Sequence, residues 1–305
     1  MIKGTPTLEK SYLLKLANGQ RWHIIPTEGV RRWVKRFARI VQLKACEPNG
    51  YPKLIFIQSE SRKDWFRERT GSEAPDIFKG FPRGAWKSHN LRALTLWSHR
   101  EVPDVICEMG TVKRHDLDII RMWLALYPIY QRAQDSGGLP LHAALVERNG
   151  IGILLAAPGD TGKSTCCRRL PPPWRELCDD ETLIVRYALK RYRGHPYPTW
   201  SNYLYQRSRR TWNVQRHIPV SAIFFLEQAK IDEAVPMGQG EAAAFTYQSA
   251  IQVCRRNWRN MGHYEERDLK ERLFKNGCEL AKAVPAFKLR VSPNGQFWNE
   301  MEKVL

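Results

Sequence analysis

The spacing of apolar residues changes several times along this 305-residue chain, and each change marks an element. Leu54-Ile55-Phe56-Ile57 is a short unbroken apolar run, the pattern of a buried strand. Turn clusters stand before and after it, at Glu47-Pro48-Asn49-Gly50 and Gly80-Phe81-Pro82-Arg83-Gly84. Arg31-Arg32-Trp33-Val34-Lys35-Arg36-Phe37 reads as a helix with a solvated basic flank. From Asp116 the apolar positions 117, 120, 123, 124 and 127 recur at helical spacing until Gly137-Gly138, which predicts one helix leading into a second domain. Two apolar runs follow, Leu141 to Val146 and Ile151 to Ala157, joined by Arg148-Asn149-Gly150. They predict a hairpin or a pair of adjacent strands, with Asn-Gly as the turn.

Composition narrows the class. Apolar residues at 43% and charged residues at 26% are ordinary globular usage, so a folded chain of two lobes is expected. Apolar runs such as Ile153–Ala157 and Ala222–Leu226 are far short of the roughly 18–20 residues of a membrane span. The first residues lack the apolar stretch of a secretory signal, so a cytoplasmic protein without membrane attachment is expected. Seven cysteines without CxxC spacing read as reduced, mostly buried thiols rather than a zinc or disulfide framework. The net charge is +18, and residues 186–217 hold eight Lys and Arg with no Asp or Glu.

The chemistry begins after the second strand, at Ala157-Pro158-Gly159-Asp160-Thr161-Gly162-Lys163-Ser164-Thr165. This is the phosphate-loop pattern G-x-x-x-x-G-K-[ST] with Ala at its first position, between a predicted strand and a helix continuing through Cys166-Cys167-Arg168-Arg169-Leu170. Glycines at 159 and 162 let the backbone N–H groups of Gly159 to Thr165 turn inward around phosphate oxygens. Lys163 then neutralises β- and γ-phosphates, and the Ser164 hydroxyl binds Mg²⁺. About fifteen residues on, past Pro171-Pro172-Pro173, Asp179-Asp180 opens a further apolar strand, so one acid can meet the metal and the other an acceptor proton.

Leu141-His142-Ala143-Ala144, the loop 157–165 and the Asp179-Asp180 pair together resemble the HPr kinase/phosphorylase superfamily. Its catalytic domain is a P-loop fold shared with phosphoenolpyruvate carboxykinase. More narrowly, His195-Pro196-Tyr197-Pro198-Thr199-Trp200-Ser201, Val214-Gln215-Arg216 and Ala222-Ile223-Phe224-Phe225-Leu226-Glu227-Gln228 look like the ScmC branch of peptide-modification cassettes. The resemblance implies an α/β fold with a P-loop catalytic domain over 113–305 and a smaller α+β domain over 1–112. It implies Lys163 and Ser164 as phosphate and Mg²⁺ ligands, Asp179 as the proton-handling acid, Asp180 as the metal carboxylate and His142 as the active-site histidine. Taken alone, His142 reads as a hydrogen-bonded strand-end histidine. The chain departs from the pattern at 195–201, where HPr kinases carry a glutamate-containing signature, so neither a second metal ligand nor a phosphorylase back-reaction is implied.

The segment 186–217 interleaves its arginines with Tyr187, Tyr192, Tyr197, Trp200, Tyr203, Tyr205 and Trp212. That mixture suits phosphate backbones and stacked bases, an acidic peptide, or a solvated loop over a core. Its position after the Asp pair sets it beside the acceptor, with Arg193, Thr199, Ser201, Arg209 and Arg210 as substrate-binding candidates. The expected activity is ATP- or GTP-dependent, Mg²⁺-requiring transfer of a γ-phosphoryl group to a hydroxyl of an acidic peptide or protein acceptor. Two rivals remain, a nucleic-acid-associated P-loop NTPase and a non-catalytic peptide-binding partner of other cassette proteins. Relatives of this kind form oligomers, so a homo-oligomer is also open.

Overall fold

The computed structural model describes residues 11–59, 78, 80–112, 114–158, 161–258 and 261–305. Contacts divide the chain into two compact units. The first holds Met1–Lys15, Gln20–Pro128 and Trp200–Thr211, and the second Leu16–Gly19, Ile129–Thr199 and Trp212–Leu305. The division thus lies at Pro128/Ile129 where the sequence suggested 112/113. Residues 200–211 return to the first unit because the helix His115–Leu124 packs on the helix Trp200–Leu204.

The first unit is built on β1 (Ser11–Lys15), β2 (Arg21–Pro26), α1 (Arg31–Ile40), β3 (Lys44–Cys46), β4 (Lys53–Gln58), β5 (Lys87–Asn90), β6 (Leu94–His99), β7 (Val102–Met109) and α2 (His115–Leu124). Its sheet runs β3-β1-β2-β4-β7-β6-β5, mixed in direction, with β2, β4 and β7 parallel. β4 is the strand read from Leu54–Ile57, and pairing on both sides explains why that run is apolar without alternation. α1 buries Val34, Phe37, Ala38 and Ile40 and leaves Arg31, Arg32, Lys35 and Arg39 exposed, as its basic flank predicted.

The second unit contains α3 (Tyr127–Asp135) from Ile129 onward, β8 (Leu139–Leu141), β9 (Ala143–Arg148), β10 (Ile151–Ala156), α4 (Lys163–Arg169), β11 (Arg175–Cys178), β12 (Glu181–Ala188) and β13 (Arg191–Tyr197). After α5 (Trp200–Leu204), which belongs to the first unit, come β14 (Ile218–Gln228), β15 (Glu233–Pro236), α6 (Gln239–Cys254), α7 (His263–Ala283), β16 (Ala286–Val291) and α8 (Phe297–Glu302). The single helix expected after Asp116 is two, broken at Ala125-Leu126. Pro128 has no N–H to donate and fits only a first turn, where it stands in α3. The β9–β10 hairpin is as predicted, with Asn149 at φ 53° and Gly150 at φ 82° in the left-handed region its turn requires.

The second sheet runs β11-β9-β10-β14-β13-β12-β8, with β16 on β14 and β15 on β16. β10 lies between antiparallel β9 and parallel β14. Its Ile153 and Leu155 join Ala144, Val146, Phe224, Phe287, Leu289, Phe297 and Met301 in one core that also takes Cys166 and Cys167 of α4. Burial of each large apolar side chain there contributes about 1.5–3 kcal/mol, which anchors the base of the loop 157–162. All seven cysteines are free thiols, as expected. Among the described residues no helix is long and apolar enough to cross a membrane.

Candidate functional site

Sheet register brings the chemistry together. The apolar run Leu141–Val146 was expected as one strand but is split at His142, because β8 pairs with β12 while β9 pairs with β10 and β11. The chain makes the same change between β11 and β12, at Asp179-Asp180. Leu141 pairs with Thr182 and Leu145 with Cys178, so residues 142–144 lie opposite 179–181. The histidine corner and the acid corner must therefore meet, and the Thr182 hydroxyl locks them by donating to the Ala143 carbonyl at 2.9 Å.

Lys163 opens α4 directly behind the loop, after Gly162 at φ 107°, a conformation glycine adopts without a Cβ penalty. Its buried ammonium donates to the carbonyls of Ala157 (3.0 Å) and Pro158 (3.2 Å) and to His142 Nε2 (2.8 Å). Since Nε2 accepts, the proton of the neutral ring sits on Nδ1, which donates to Asp180 Oδ1 at 3.2 Å. Burial, with the charges of Lys163 and Arg256, lowers the His142 pKa to about 4, so the ring is neutral near pH 7. Burial raises the Asp180 pKa and Asp179 adds to this, while Lys163 and Arg256 oppose it. The result is one oriented chain, Lys163 to His142 to Asp180.

Asp179 is held separately. The buried Thr199 hydroxyl donates to its Oδ1 at 2.5 Å, so Thr199 contacts the acid from beyond the end of β13. Glu181 is buried, accepts from the Tyr130 hydroxyl and has its own carbonyl bound by the Cys178 thiol. Sequence reasoning passed over Arg256, just beyond α6. Its guanidinium pKa is lowered by burial and raised by Glu181 and Asp180, which sets its charge toward those carboxylates although the residue keeps exposed surface. The only signal was Arg255-Arg256 at the end of a long helix, which no local pattern ties to residues 180–181.

The remaining predicted residues scatter. Gly159 and Asp160 lie outside the described residues. The Thr161 carbonyl accepts from Gln228 at the end of β14, Ser164 is half-buried in the first turn of α4, and Thr165 Oγ1 accepts from Arg168. Arg193 pairs across from Val185 while Tyr197 faces Glu181, which sets it roughly 13 Å along the strand from the acid corner. There it packs over Tyr187 and donates to His217 Nδ1 at 2.9 Å. Ser201, Arg209 and Arg210 belong to the first unit.

The donor set suits a metal that brings ligands with its substrate. Among the described residues no three His, Cys, Asp or Glu side chains form a cage, and Asp180 Oδ2 makes no hydrogen bond. Mg²⁺ is ordinarily held that way, by one or two carboxylates plus phosphate oxygens and water.

No curated protein matches the chain. The loop, both corners and Arg256 all fall within residues 105–305, which match the model of the family described as SynChlorMet cassette protein ScmC, and the chain belongs to that family.

Proposed function

We propose that this protein is an HPr-kinase-like phosphotransferase that moves the γ-phosphoryl group of ATP or GTP to a hydroxyl of a peptide or protein acceptor. The observation that carries the reading is the hydrogen-bonded chain Lys163–His142–Asp180 directly behind a Gly-Lys-Ser-Thr loop, with a second acid beside it. In this reading the loop and Lys163 hold the phosphates, and Ser164 and Asp180 hold Mg²⁺, which supplies charge neutralisation on the phosphate oxygens. Neutral His142 keeps Lys163 and Asp180 in fixed relation without adding charge. Asp179, oriented by Thr199, takes the acceptor hydroxyl proton as that oxygen bonds to phosphorus and the nucleoside diphosphate leaves.

Calorimetry with Mg-ATP and Mg-GTP, followed by phosphate incorporation into peptides encoded beside this gene, tests it. Nucleotide binding lost in Lys163→Ala, with transfer to an acceptor by the wild type, is the expected result. Equal binding by wild type and variant overturns the assignment of the loop. Hydrolysis stimulated by RNA or DNA without acceptor labelling favours the NTPase reading instead.

A further inference from the structure

The first unit contains a cleft of about 510 Å³, within the usual range for ligand pockets. Arg36 and Arg39 of α1, Arg209, His115, Ser208 and Thr211 line it. Arg36 and Arg39 stand three apart and so share one face of α1. Among the described residues none of the three arginines forms an ion pair, and no carboxylate lines the cleft.

Hydrogen bonds and a ring contact join the walls of the cleft. His115 Nε2 donates to the Tyr203 carbonyl at 3.0 Å, which leaves Nδ1 to accept from Arg36 at 3.5 Å and so ties the Arg36 guanidinium to α2, the helix that also holds Tyr203 through this ring. Gln42, just past α1, donates to Thr211 Oγ1 at 2.8 Å. The Tyr203 hydroxyl donates to the Arg210 carbonyl, and Phe37 stacks on Trp200 at 6.3 Å, both rings buried. The Ser208 hydroxyl accepts from the Arg210 amide at 3.0 Å, which shapes the turn that carries Arg209.

We infer that this cleft binds a phosphomonoester group, through residues of which none belongs to the unit that carries the Gly-Lys-Ser-Thr loop. The charge and the shape agree. Each guanidinium offers a planar fork that pairs with two oxygens, and three forks exceed what one carboxylate can satisfy. A phosphomonoester presents three oxygens and about −1.5 to −2 charges near pH 7, and the Ser208 and Thr211 hydroxyls add neutral donors. The group can arrive on a peptide side chain or on a small free molecule. The inference does not depend on the phosphotransfer reading.

Calorimetric titration at two salt concentrations with inorganic phosphate, O-phosphoserine, generic RNA, and a phosphoserine peptide beside its unphosphorylated and aspartate twins tests it. The proteins are wild type, Lys163→Ala, and Arg36→Gln with Arg209→Gln, the last two side chains being partly or fully exposed and thus replaceable without unfolding. O-phosphoserine affinity should survive Lys163→Ala and fall by about 10- to 100-fold in the double variant, and it should weaken with salt. A phosphopeptide bound at least about tenfold tighter than O-phosphoserine assigns the group to a peptide, and equal affinities assign it to a free small molecule. Absence of phosphate binding in wild type, loss in Lys163→Ala alone, an aspartate peptide bound as tightly as the phosphopeptide, or generic RNA bound more tightly than either would overturn it.

Discussion

The corner site of the second unit and the cleft of the first use the same cationic chemistry in opposite settings. Lys163 and Arg256 stand among Asp179, Asp180 and Glu181, so their charge is largely answered within the protein. Arg36, Arg39 and Arg209 meet no acid along their cleft. A compensated cluster can hold a metal and pass a proton while keeping its geometry without ligand. An uncompensated one is built to receive charge from outside. The total of +18 does not distinguish the two; only the partner of each cation does.

The sharpest break between them comes from the acids. Asp179→Asn keeps the hydrogen bond from Thr199 but cannot take a proton, so acceptor turnover should fall by about 10²–10⁴ while Mg-nucleotide affinity stays within about threefold. The same exchange has no counterpart in the cleft. Single-turnover labelling reads the effect, and full activity in the variant removes Asp179 from the chemistry.

Acid should next read out the buried imidazole of His195 in the second unit. His195 is fully buried, accepts from the Ala17 amide at 3.1 Å and faces the Val214 carbonyl at 2.8 Å, so Nδ1 bears the proton of a neutral ring. Burial lowers its pKa to about 4 against an ordinary 6.5. The unfolded chain therefore binds this proton first as pH falls. Its stability contribution is complete above about pH 6.5 and declines by about 3 kcal/mol down to pH 4. Urea melts across that range should show the decline, reduced in His195→Gln; an unchanged slope in the variant would assign the loss elsewhere.

Lys163→Ala should weaken Mg-nucleotide binding by about 10- to 100-fold and leave O-phosphoserine binding alone, while the double arginine variant should do the reverse. Crossed losses would merge the two sites into one. Thr199→Val should lower turnover by about tenfold at unchanged nucleotide affinity, since it frees Asp179 without removing it. The smallest effect tests the frame alone. Gly150→Ala meets no atom within 4 Å but must hold φ 82°, so thermal melts should register a loss of about 1 kcal/mol and no change at either site.

What could be read from sequence was whatever a few adjacent residues decide. Asn149-Gly150 demands a tight turn, the runs on either side of it demand burial, and Gly-Lys-Ser-Thr after a strand carries the pattern of a phosphate loop, with glycine, cation and hydroxyl within one turn of chain. Charge patterning likewise marked α1 as basic on one flank. Where Pro128 would break the helix was written in the residues too, though periodicity alone overrode it. The meeting of His142 with Asp180 was not, since it depends on β8 and β9 joining different neighbours and on Leu141 pairing with Thr182. Arg256 and the cleft depend still more on folding, because 36, 115 and 209 are brought together by α1, α2 and a segment that leaves the second unit to return to the first. Turns and loops follow from dihedral preferences and short-range hydrogen bonds, which a sequence states directly. Strand partnership and charge compensation follow from which distant surfaces exclude water together, and that is settled only when the whole chain packs.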